Sequence, residues 1–306
     1  MIGIELSGGL GNQFFRYAFA RSLAYNRGNS DTMLLNMHHV DNHGNDGNIT
    51  DFKIYHKYSC HNCRRLAMAF GTPAQKVLFA ANAILTKMGR RIGLKLEIPS
   101  KILFSNGIYI LNNPSDFPPA ICSNERIFAL GSFENGIYFK DIRHILIKEF
   151  MPIHKPLKTN QELYRIIKNS NSVFLGIRRG DFLSEANKKI FHVCTVAYYK
   201  QAIELMLQKT PNPVFIIFSN DMRWVKQNID VKNLSVCYEH EGDPIWETFR
   251  LMCNCKNFII SNSTLHWWAQ YCSCNDNKIV ISPDHWLANN SSRDHLIENN
   301  FLTIPT

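Results

Sequence analysis

Residues 172–181, with the sequence Ser-Val-Phe-Leu-Gly-Ile-Arg-Arg-Gly-Asp, decide the fold of this 306-residue chain. The stretch Ser172–Arg178 is almost continuously apolar, which is typical of a strand buried on both faces. A similar run, Pro213–Ser219, follows after a segment with helical periodicity. Buried strands that alternate with helices predict a parallel sheet covered by helices on both sides.

The same alternation extends in both directions from this strand. The predicted strands are Ile2–Leu6, Ile108–Leu111, Ile127–Leu130, Ser172–Arg178, Pro213–Ser219, Ser235–Tyr238, Asn257–Ser261 and Lys278–Ile281. The predicted helices are Phe14–Asn26, Ala74–Met88, Lys140–Phe150, Thr195–Lys209, Met222–Asn228, Pro244–Cys253 and Thr264–Cys272. We therefore predict an α/β protein of two domains that face a cleft. Residues 1–152 form the first domain and residues 153–306 the second, and Met151–Pro156 is a hinge or linker.

The positive charge is concentrated in one segment. The formal net charge is +9, and residues 51–101 hold ten Lys/Arg against two acids, which accounts for +8 of it. We interpret 51–101 as a basic helical insertion in the first domain. It forms either a solvated helical face or a peripheral face for an anionic membrane or a lipid-linked acceptor.

Composition excludes several classes of protein. A hydrophobic content of 45% excludes a disordered chain. No apolar run approaches the roughly 20 residues that span a bilayer, and the N-terminus lacks the pattern of a signal peptide. We expect a cytoplasmic protein whose nine cysteines are reduced thiols. Nucleic acid is an unfavoured partner, because the basic segment lacks interleaved aromatic residues.

Four polar clusters follow predicted strands, at the edge of a parallel sheet where ligands bind. They are Gly8–Gln13, Arg178–Asp181, Ser219–Asp221 and Ser261–Thr264. Their shared placement is the reason to treat them as candidates for one or more binding sites.

The first cluster is a glycine-rich loop. Gly8, Gly9 and Gly11 permit tight turns and close approach of a ligand to the backbone. The amides of Asn12 and Gln13 are suited to sugar hydroxyls or phosphate oxygens, whereas a purely structural turn does not need them. The loop lacks both the P-loop ending and the dinucleotide fingerprint.

The other clusters offer groups that bind anions. Arg178 and Arg179 are adjacent on a strand, so they point to opposite faces and only one can face a given ligand. A guanidinium fork matches phosphate oxygens, although pairing with Asp181 or Glu185 is the structural alternative. Ser261–Thr264 precedes a helix and offers hydroxyls and free N–H groups, unless it serves only as an N-cap.

Metal binding is not expected. The His38–His43 cluster has suitable ligand types, but it lies in a predicted polar loop, where contact with an acceptor is favoured over a metal. Cys60–Cys63 has no second pair at zinc-site spacing. We interpret Trp267 and Trp268 as core residues.

These motifs together resemble the α-1,2-fucosyltransferase family, glycosyltransferase family 11. The resemblance rests on the Gly-Gly-Leu-Gly-Asn-Gln of Gly8–Gln13, the Arg-Arg-Gly-Asp of Arg178–Asp181, and the Ser-Asn-Ser-Thr of Ser261–Thr264 followed by two tryptophans. Leu251, Met252 and Cys255 also fit a run found in that family. The match extends from Gly3 to about Ile281 and is loose over residues 35–105.

The resemblance implies a GT-B-type fold of two Rossmann-like domains. It implies inverting transfer of L-fucose from GDP-fucose to the 2-hydroxyl of a galactose-type acceptor, with no metal and no cofactor, since GDP-fucose is a co-substrate. The C-terminal domain would bind the donor and the N-terminal domain would bind an oligosaccharide or lipid-linked acceptor. A fucosyltransferase of another linkage, such as α-1,6, and a non-catalytic protein that binds nucleotide sugars or glycans are the alternatives.

The resemblance also implies roles for individual residues. Arg178 would hold the β-phosphate, Ser219 and Asp221 would contact the guanosine, and Ser263 with Thr264 would bind the pyrophosphate. The rest of the substrate site would be Gly8, Gly9, Gly11, Asn12, Gln13, Ser261 and Asn262.

Two questions about the chemistry stay open at the level of the sequence. An inverting transfer requires a base near the acceptor hydroxyl, and Asp181, Glu247 and Asp243 are the candidates. This chain has Gly176 where related fucosyltransferases usually have His, two residues before the first arginine. A donor contact is therefore either missing or supplied by another residue.

Overall fold

The computed structural model describes residues 1–41, 47–111, 123–191, 193–288 and 294–306, without the side chains of Asp41, Asp181, Ala186 and Asp294. The chain forms two compact units. Unit 1 comprises Met1–Ile49 and Ile54–Leu146, and unit 2 comprises Thr50–Lys53 and Ile147–Thr306. The chain thus passes from one unit to the other more than once.

Unit 1 is built from five short strands and their helices. Its strands are β1 (Ile2–Ser7), β2 (Met33–Met37), β3 (Tyr58–His61), β4 (Ile108–Leu111) and β5 (Ile127–Gly131). Its helices are α1 (Leu10–Asn26), α2 (His38–Asp41), α3 (Leu66–Phe70), α4 (Pro73–Ile92) and α5 (Ser100–Ser105), and the division between the units falls within α6 (Arg143–Glu149).

Unit 2 has the longer strands. They are β6 (Asn171–Ile177), β7 (Pro213–Ser219), β8 (Ser235–Tyr238), β9 (Asn257–Ile259), β10 (Val280–Pro283) and β11 (Leu302–Ile304). The helices are α7 (Gln161–Asn169), α8 (Glu185–Phe191), α9 (Val196–Lys209), α10 (Met222–Asn228), α11 (Ile245–Asn254) and α12 (Thr264–Cys272). Short 3-10 turns occur at Ile49–Asp51, Gly136–Tyr138, Lys140–Ile142, Lys158–Asn160, Gly180–Leu183 and Asp294–Leu296.

Each unit contains one parallel sheet, which confirms the predicted α/β class. The strand order is β3-β2-β1-β5-β4 in unit 1 and β11-β10-β9-β6-β7-β8 in unit 2. In both sheets the chain starts near the middle, builds outward to one side, and then returns to build the other side. The order therefore reverses between β1 and β5 and between β6 and β9, and such switch points are where open α/β sheets bind ligands.

The core of unit 2 explains why its strands read as continuous apolar runs. Val173, Leu175 and Ile177 pack against α9 on one face of β6, while Phe174 packs against Phe258 on the other. Trp267 and Trp268 are both fully buried, and the indole N–H of Trp267 donates to the Leu296 carbonyl at 3.0 Å. The two tryptophans are core residues, as interpreted from the sequence.

Three strands were not predicted, and one of them corrects the interpretation of the basic segment. β3 and β11 have only four and three residues, and β2 is a buried five-residue strand between polar segments. β3 pairs with β2 at the edge of the sheet, so residues 51–101 are not simply a helical insertion. They supply one strand of unit 1 as well as α3 and α4.

The predicted linker at Met151–Pro156 is also corrected. The Met151 carbonyl accepts from the Lys53 N–H at 2.9 Å, and the Ile153 N–H donates to the Asp51 carbonyl at 2.8 Å. These two bonds flank an antiparallel bridge between Phe52 and Pro152. This part of the chain is therefore pinned within unit 2, and the contacts divide the chain after Leu146.

No helix in the described ranges has both the length and the apolar character needed to cross a membrane.

Candidate active site

The switch point of unit 2 brings together two of the predicted clusters. β6 and β9 are hydrogen-bonded neighbours, with Leu175 opposite Ile259. Arg178 comes directly after β6, and Ser261–Thr264 comes after β9 and opens α12. Arg178 and Ser263, which are 85 positions apart in the sequence, thus lie at the same edge of the sheet, where a ligand is expected.

The two adjacent arginines have different environments. The Arg179 guanidinium stacks on the Trp224 ring at 3.6 Å from its centroid and lies 3.6 Å from an Asp221 carboxylate oxygen. Arg178 is half-buried on the opposite face, with its guanidinium 5.8 Å from the Phe182 ring centroid. Arg179 therefore has a structural role, and Arg178 is the arginine on the other side of β6.

The loop after β7 braces the loop after β6. The Asn220 side-chain carbonyl accepts from the Arg179 N–H at 2.9 Å and from the Gly180 N–H at 3.3 Å. Asp221 caps α10 by accepting from the Trp224 N–H at 3.1 Å, and the Ser219 hydroxyl accepts from the Asp221 N–H at 3.0 Å. Both predicted guanosine contacts, Ser219 and Asp221, already have partners within unit 2.

The start of α12 adds two hydroxyl side chains to this edge, and the first of them, Ser263, is buried. Ser263 is the N-cap residue, yet its hydroxyl makes no capping bond to the helix. Thr264 follows in the first turn and is half-exposed. The first-turn N–H groups of a helix lack intrahelical partners, and the helix dipole favours an anion there. The Ser263 hydroxyl therefore does not cap α12.

The two preceding residues are corrections to the predicted site. The fully buried Ser261 bonds through its hydroxyl to His266 Nδ1 at 2.9 Å. The buried Asn262 donates to the carbonyls of Phe191 at 3.0 Å and Trp286 at 2.9 Å. Because these polar groups are satisfied inside the protein, Ser261 and Asn262 hold the loop rather than a substrate.

The space beside Gly176 is already occupied by an imidazole. A Cβ atom added to Gly176 would lie 2.6 Å from His266 Nδ1 and 2.4 Å from Phe174 Cζ, which no real Cβ contact permits. Burial, and secondly the charge of Arg178, lower the pKa of His266 to about 3. Sequence reasoning missed His266, since a histidine among core residues of a helix carries no local signal.

Of the three candidate bases, Glu247 is excluded by its surroundings. Its side chain is 0% exposed, forms an ion pair with Arg250 at 2.7 Å, and accepts from the Leu157 N–H at 3.0 Å. Asp243 accepts from the Asn160 amide at 2.6 Å. The Asp181 side chain lies outside the described residues. Glu247 is thus a structural carboxylate, because no acceptor hydroxyl reaches it.

A further acid, Glu239, lies next to the predicted guanosine contacts. It follows β8, and its carboxylate accepts from the Ser219 N–H at 2.6 Å. Burial is the main cause that raises the pKa of Glu239 to about 7, with Asp243 contributing in the same direction. A single acid after a short strand gave no signal in the sequence.

In unit 1, the glycine loop lies at the switch point after β1. Gly8 has φ +77°, and a Cβ there would meet the Asn12 amide nitrogen at 2.6 Å. Gly9 is the N-cap of α1, and the space where its Cβ would lie is open. Within the part of the chain that the structure describes, the buried Asn12 side-chain oxygen has no hydrogen-bond partner.

Gln13 is a further correction. The helix α1 begins at Leu10, so Gly11, Asn12 and Gln13 lie in its first turn rather than in a loop. The Gln13 side chain is fully buried, donates to the carbonyls of Gly8 at 3.1 Å and Gly47 at 3.2 Å, and accepts from the Ile49 N–H at 3.2 Å. Its amide stabilises the loop, because both of its N–H donors and one acceptor site of its oxygen are bonded to the backbone.

Among the residues that the structure describes, no group of three or more His, Cys, Asp or Glu side chains is arranged to hold a metal. His38 Nδ1 bonds to the Asn62 side-chain oxygen at 2.8 Å, and His39 Nε2 accepts from Arg65 at 2.7 Å. Both histidines begin α2, which corrects the predicted loop, and His43 lies outside the described residues.

Comparison with known proteins identifies the family. Residues 116–303 match the profile of "Glycosyl transferase family 11". The chain is 29% identical over 296 residues to an Escherichia coli "Alpha-1,2-colitosyltransferase", with 92% of this chain and 91% of that protein covered. It is 28% identical over 150 residues to a "Galactoside alpha-(1,2)-fucosyltransferase 1" of Leontopithecus chrysomelas, covering 45% of this chain and 41% of that protein.

Among solved structures, the NodZ α-1,6-fucosyltransferase soaked with GDP-fucose is similar, with a TM-score of 0.46 and 11% identity, covering 89% of this chain and 91% of that one.

Proposed function

The chain belongs to glycosyltransferase family 11, and we propose that it transfers L-fucose from GDP-fucose to the 2-hydroxyl of a terminal galactose-type acceptor. The transfer inverts the anomeric carbon and uses no metal. The observation that carries this proposal is the meeting of Arg178 with the start of α12 at the switch point of unit 2.

This edge suits a sugar that leaves a diphosphate. Negative charge builds on the diphosphate oxygens as the bond to the sugar breaks, and preorganised donors stabilise that charge most effectively. Arg178 supplies a fixed positive charge with paired N–H groups. The Ser263 N–H is already bonded to the Ser261 carbonyl at 2.7 Å, so the neutral donors from the other side of the switch point are the Thr264 N–H and the hydroxyls of Ser263 and Thr264.

The second half of the reaction needs a base for the acceptor hydroxyl. With Glu247 buried and paired, Asp181 and Asp243 remain, and Asp181 is the candidate that we favour. It follows Arg178 by three residues in the loop after β6. Asp181→Asn is expected to lower kcat by about 10²-fold or more, while GDP affinity stays the same.

Glu239 extends the proposed nucleoside contact. Ser219 and Asp221 have internal partners, and the Glu239 carboxylate bonds to the Ser219 N–H and to the Thr248 side chain, which leaves further acceptor sites on its two oxygens. A carboxylate is a suitable acceptor for the paired N–H groups of guanine. We therefore add Glu239 to the residues proposed at the base of the nucleotide.

The test is acceptor-dependent release of GDP. Purified protein is incubated with GDP-fucose and a panel of galactosides, and the linkage of the product is read by NMR. We expect GDP release that depends on the acceptor and a fucose on the 2-hydroxyl. Binding of GDP-fucose with no release across the panel would instead indicate a non-catalytic binding protein.

A second donor, GDP-colitose, is favoured by one observation. The relative that matches over 92% of this chain is named as a colitosyltransferase. Colitose is L-fucose without its 3-hydroxyl. A site that bonds this hydroxyl rejects the deoxy sugar by about 10⁴-fold or more, whereas an apolar pocket discriminates by about 10²-fold at most. The ratio of kcat/KM for the two donors therefore decides between them.

A further inference from the structure

A large cavity in unit 1 lies outside every residue assigned above. It has a volume of about 720 Å³, within the range of small-molecule sites. Phe79, Ile110 and Leu130 form apolar walls, and four cations surround them. These four residues, Arg65, Lys87, Arg90 and Arg91, together with the walls, are called the α4 pocket below.

The α4 pocket lies at the ligand-binding edge of its sheet. Near the start of α4, Gln75 donates to the carbonyls of Asn106 and Arg126, each at 2.9 Å, just before β4 and β5 begin. The 20 residues of α4 extend for about 30 Å, whereas strands of four or five residues extend for only about 13–17 Å. The C-terminal half of α4 therefore reaches beyond the carboxyl ends of these strands.

Arg65 lies near the buried Glu5 and donates to His39 at 2.7 Å, whereas the other three cations of the α4 pocket have no ion-pair partner among the described residues. Lys87, Arg90 and Arg91 make no ion pair there, and no acidic residue lines the cavity. The nearby Glu97 pairs with Lys95 at 3.1 Å. Three exposed cations held next to an apolar cavity favour a ligand with more than one negative charge.

The outer surface of α4 carries an apolar stripe. Val77, Ile84, Met88 and Ile92 are 68%, 59%, 50% and 61% exposed, and their spacing of seven and four residues places them along one side of the helix. An exposed apolar stripe beside Lys and Arg is typical of a helix that lies in a membrane interface.

We propose that the α4 pocket binds the diphosphate of a lipid-diphosphate-linked glycan acceptor, whose hydrocarbon chain remains in a membrane that contacts the apolar stripe. The cations hold the diphosphate, and the glycan continues from the pocket as the acceptor. This inference rests on the proposed glycosyl transfer and names the class of acceptor that the enzyme takes.

The test compares two acceptors that end in the same galactoside. One is the soluble oligosaccharide, and the other is the same glycan on a polyprenyl diphosphate in phosphatidylcholine vesicles. We expect Arg90→Glu/Arg91→Glu to lower kcat/KM for the lipid-linked acceptor by at least about tenfold and to leave the soluble acceptor unchanged. Lys200→Glu/Lys232→Glu, which makes the same charge change at a cavity of unit 2 that also contains Glu204 and Asp230, is the matched control.

The other outcomes are informative. Equal losses with both acceptors, or no loss with either, would overturn the assignment of the α4 pocket. A wild-type protein that turns over neither acceptor would overturn the proposed function instead. Vesicle co-sedimentation gives a readout without catalysis: binding should require the polyprenyl diphosphate, and equal binding to phosphatidylglycerol vesicles would overturn recognition of the diphosphate.

A second inference rests on an independent observation, the contact between His266 and Gly176. Positions 176 and 178 are two apart on β6, so a side chain at 176 would lie on the same face as Arg178. The Phe174 ring and the His266 imidazole together fill that place, and His266 Nδ1 is bonded to the Ser261 hydroxyl. We infer that His266 is a positioning residue, which packs beside Arg178 and fixes its guanidinium for the diphosphate.

Moving the imidazole from α12 to position 176 of β6 tests this inference. Gly176→His alone should prevent folding or activity, because its Cβ collides with His266. His266→Ser should raise the KM for GDP-fucose by about tenfold with a smaller change in kcat, since a misplaced guanidinium loses about one charged hydrogen bond. Because the Phe174 ring would also collide with a Cβ at 176, at 2.4 Å, the double variant Gly176→His/His266→Ser is made in a Phe174→Leu background, where it returns an imidazole to the same face and should recover most of the donor affinity.

Tyr198→Phe is the control for a purely structural effect, because it removes a buried hydrogen bond to the Ile260 carbonyl at the same edge. It should lower the melting temperature without changing donor KM. The inference fails if His266→Ser retains wild-type donor KM, or if the double variant folds as stably as wild type but binds GDP no better than His266→Ser.

Discussion

The carboxyl edges of the two sheets are built in the same way but use their polar side chains differently. In unit 1 the Gln13 amide is consumed by three backbone partners, which leaves the open backbone of Gly9 and the side-chain oxygen of Asn12. In unit 2 Ser261 and Asn262 bond to internal partners, while Arg178 and the start of α12 are the groups that we propose for the diphosphate.

The difference shows which edge is suited to negative charge. A guanidinium and a helix start lie together at the switch point of unit 2. The switch point of unit 1 offers glycine backbone, the neutral Asn12 amide and Arg16, whose guanidinium donates to the Asn12 carbonyl at 3.1 Å, while three exposed cations lie along the C-terminal half of α4. Residues 51–101, which carry +8 of the net +9, thus include the four cations of the α4 pocket and none of the residues proposed at the nucleotide.

The largest expected effect is that of removing the charge from the edge of unit 2. Arg178→Ala should lower kcat/KM by about 10²–10³-fold, because the developing charge on the diphosphate loses a fixed donor. Arg178→Lys should give an intermediate loss, since it keeps the charge without the planar fork. Arg179→Ala is the control: it removes the stack on Trp224 and should mainly lower the melting temperature. A fully active Arg178→Ala variant would remove the distinction between the two edges.

The next effect concerns the stability of unit 1. Gln13→Ala leaves three backbone groups without a partner and should cost about 2–3 kcal/mol of unfolding free energy, while kcat/KM per folded molecule changes little. Asn12→Ala should do the reverse and change KM at a constant melting temperature. Thermal unfolding and steady-state kinetics of both variants test the contrast. A stable Gln13→Ala variant with low turnover would restore Gln13 to the substrate site.

A smaller effect is expected at the start of α12. Ser263→Ala and Thr264→Val each remove one neutral donor and should lower kcat/KM by about 2- to 10-fold, with no loss of stability. Asn262→Ala, one position earlier, should destabilise the protein because its amide joins Phe191 and Trp286. Parallel measurement of kcat/KM and melting temperature separates the two classes, and an unstable Ser263→Ala variant would show that its hydroxyl is structural after all.

The smallest effect is a dependence of stability on pH. The pKa of Glu239 is about 7 in the folded protein, above the ordinary value of 4.5, so the folded state holds more protons between these pH values. Stability from this group is therefore highest below pH 4.5 and declines as the pH rises to 7. Glu239→Gln should remove that decline, as measured by melting temperature from pH 4.5 to 8. An unchanged profile would mean that Glu239 ionises normally.

The sheet of unit 2 could be predicted because the residues of β6 and β7 are almost all apolar, which is typical of strands buried on both faces. Their apolar runs are continuous, and both faces of the sheet are covered. β3 carries the polar sequence Tyr-Ser-Cys-His and is an edge strand with half-exposed side chains, so its sequence contains no comparable pattern. Its pairing with β2 is a property of the assembled sheet.

The site was predicted at the level of loops but not of side chains. Sequence places Ser261–Thr264 at a strand end, yet it cannot show that Asn262 turns inward to carbonyls 71 and 24 residues away. His266 shows the same limit, because its relation to Gly176 spans 90 positions and exists only in the folded protein. Which polar group is satisfied internally depends on long-range contacts that local patterns do not encode.

The short segment Thr50–Lys53 has a consequence for any attempt to divide the protein. It belongs to unit 2 although unit 1 surrounds it in the chain, and the ring of Phe52 packs edge-on against Phe249 at 5.9 Å. A fragment that begins at Ile147 would expose the surface that Phe52 covers. The C-terminal half is therefore expected to require a peptide spanning this segment, supplied in trans, to fold as it does in the intact chain.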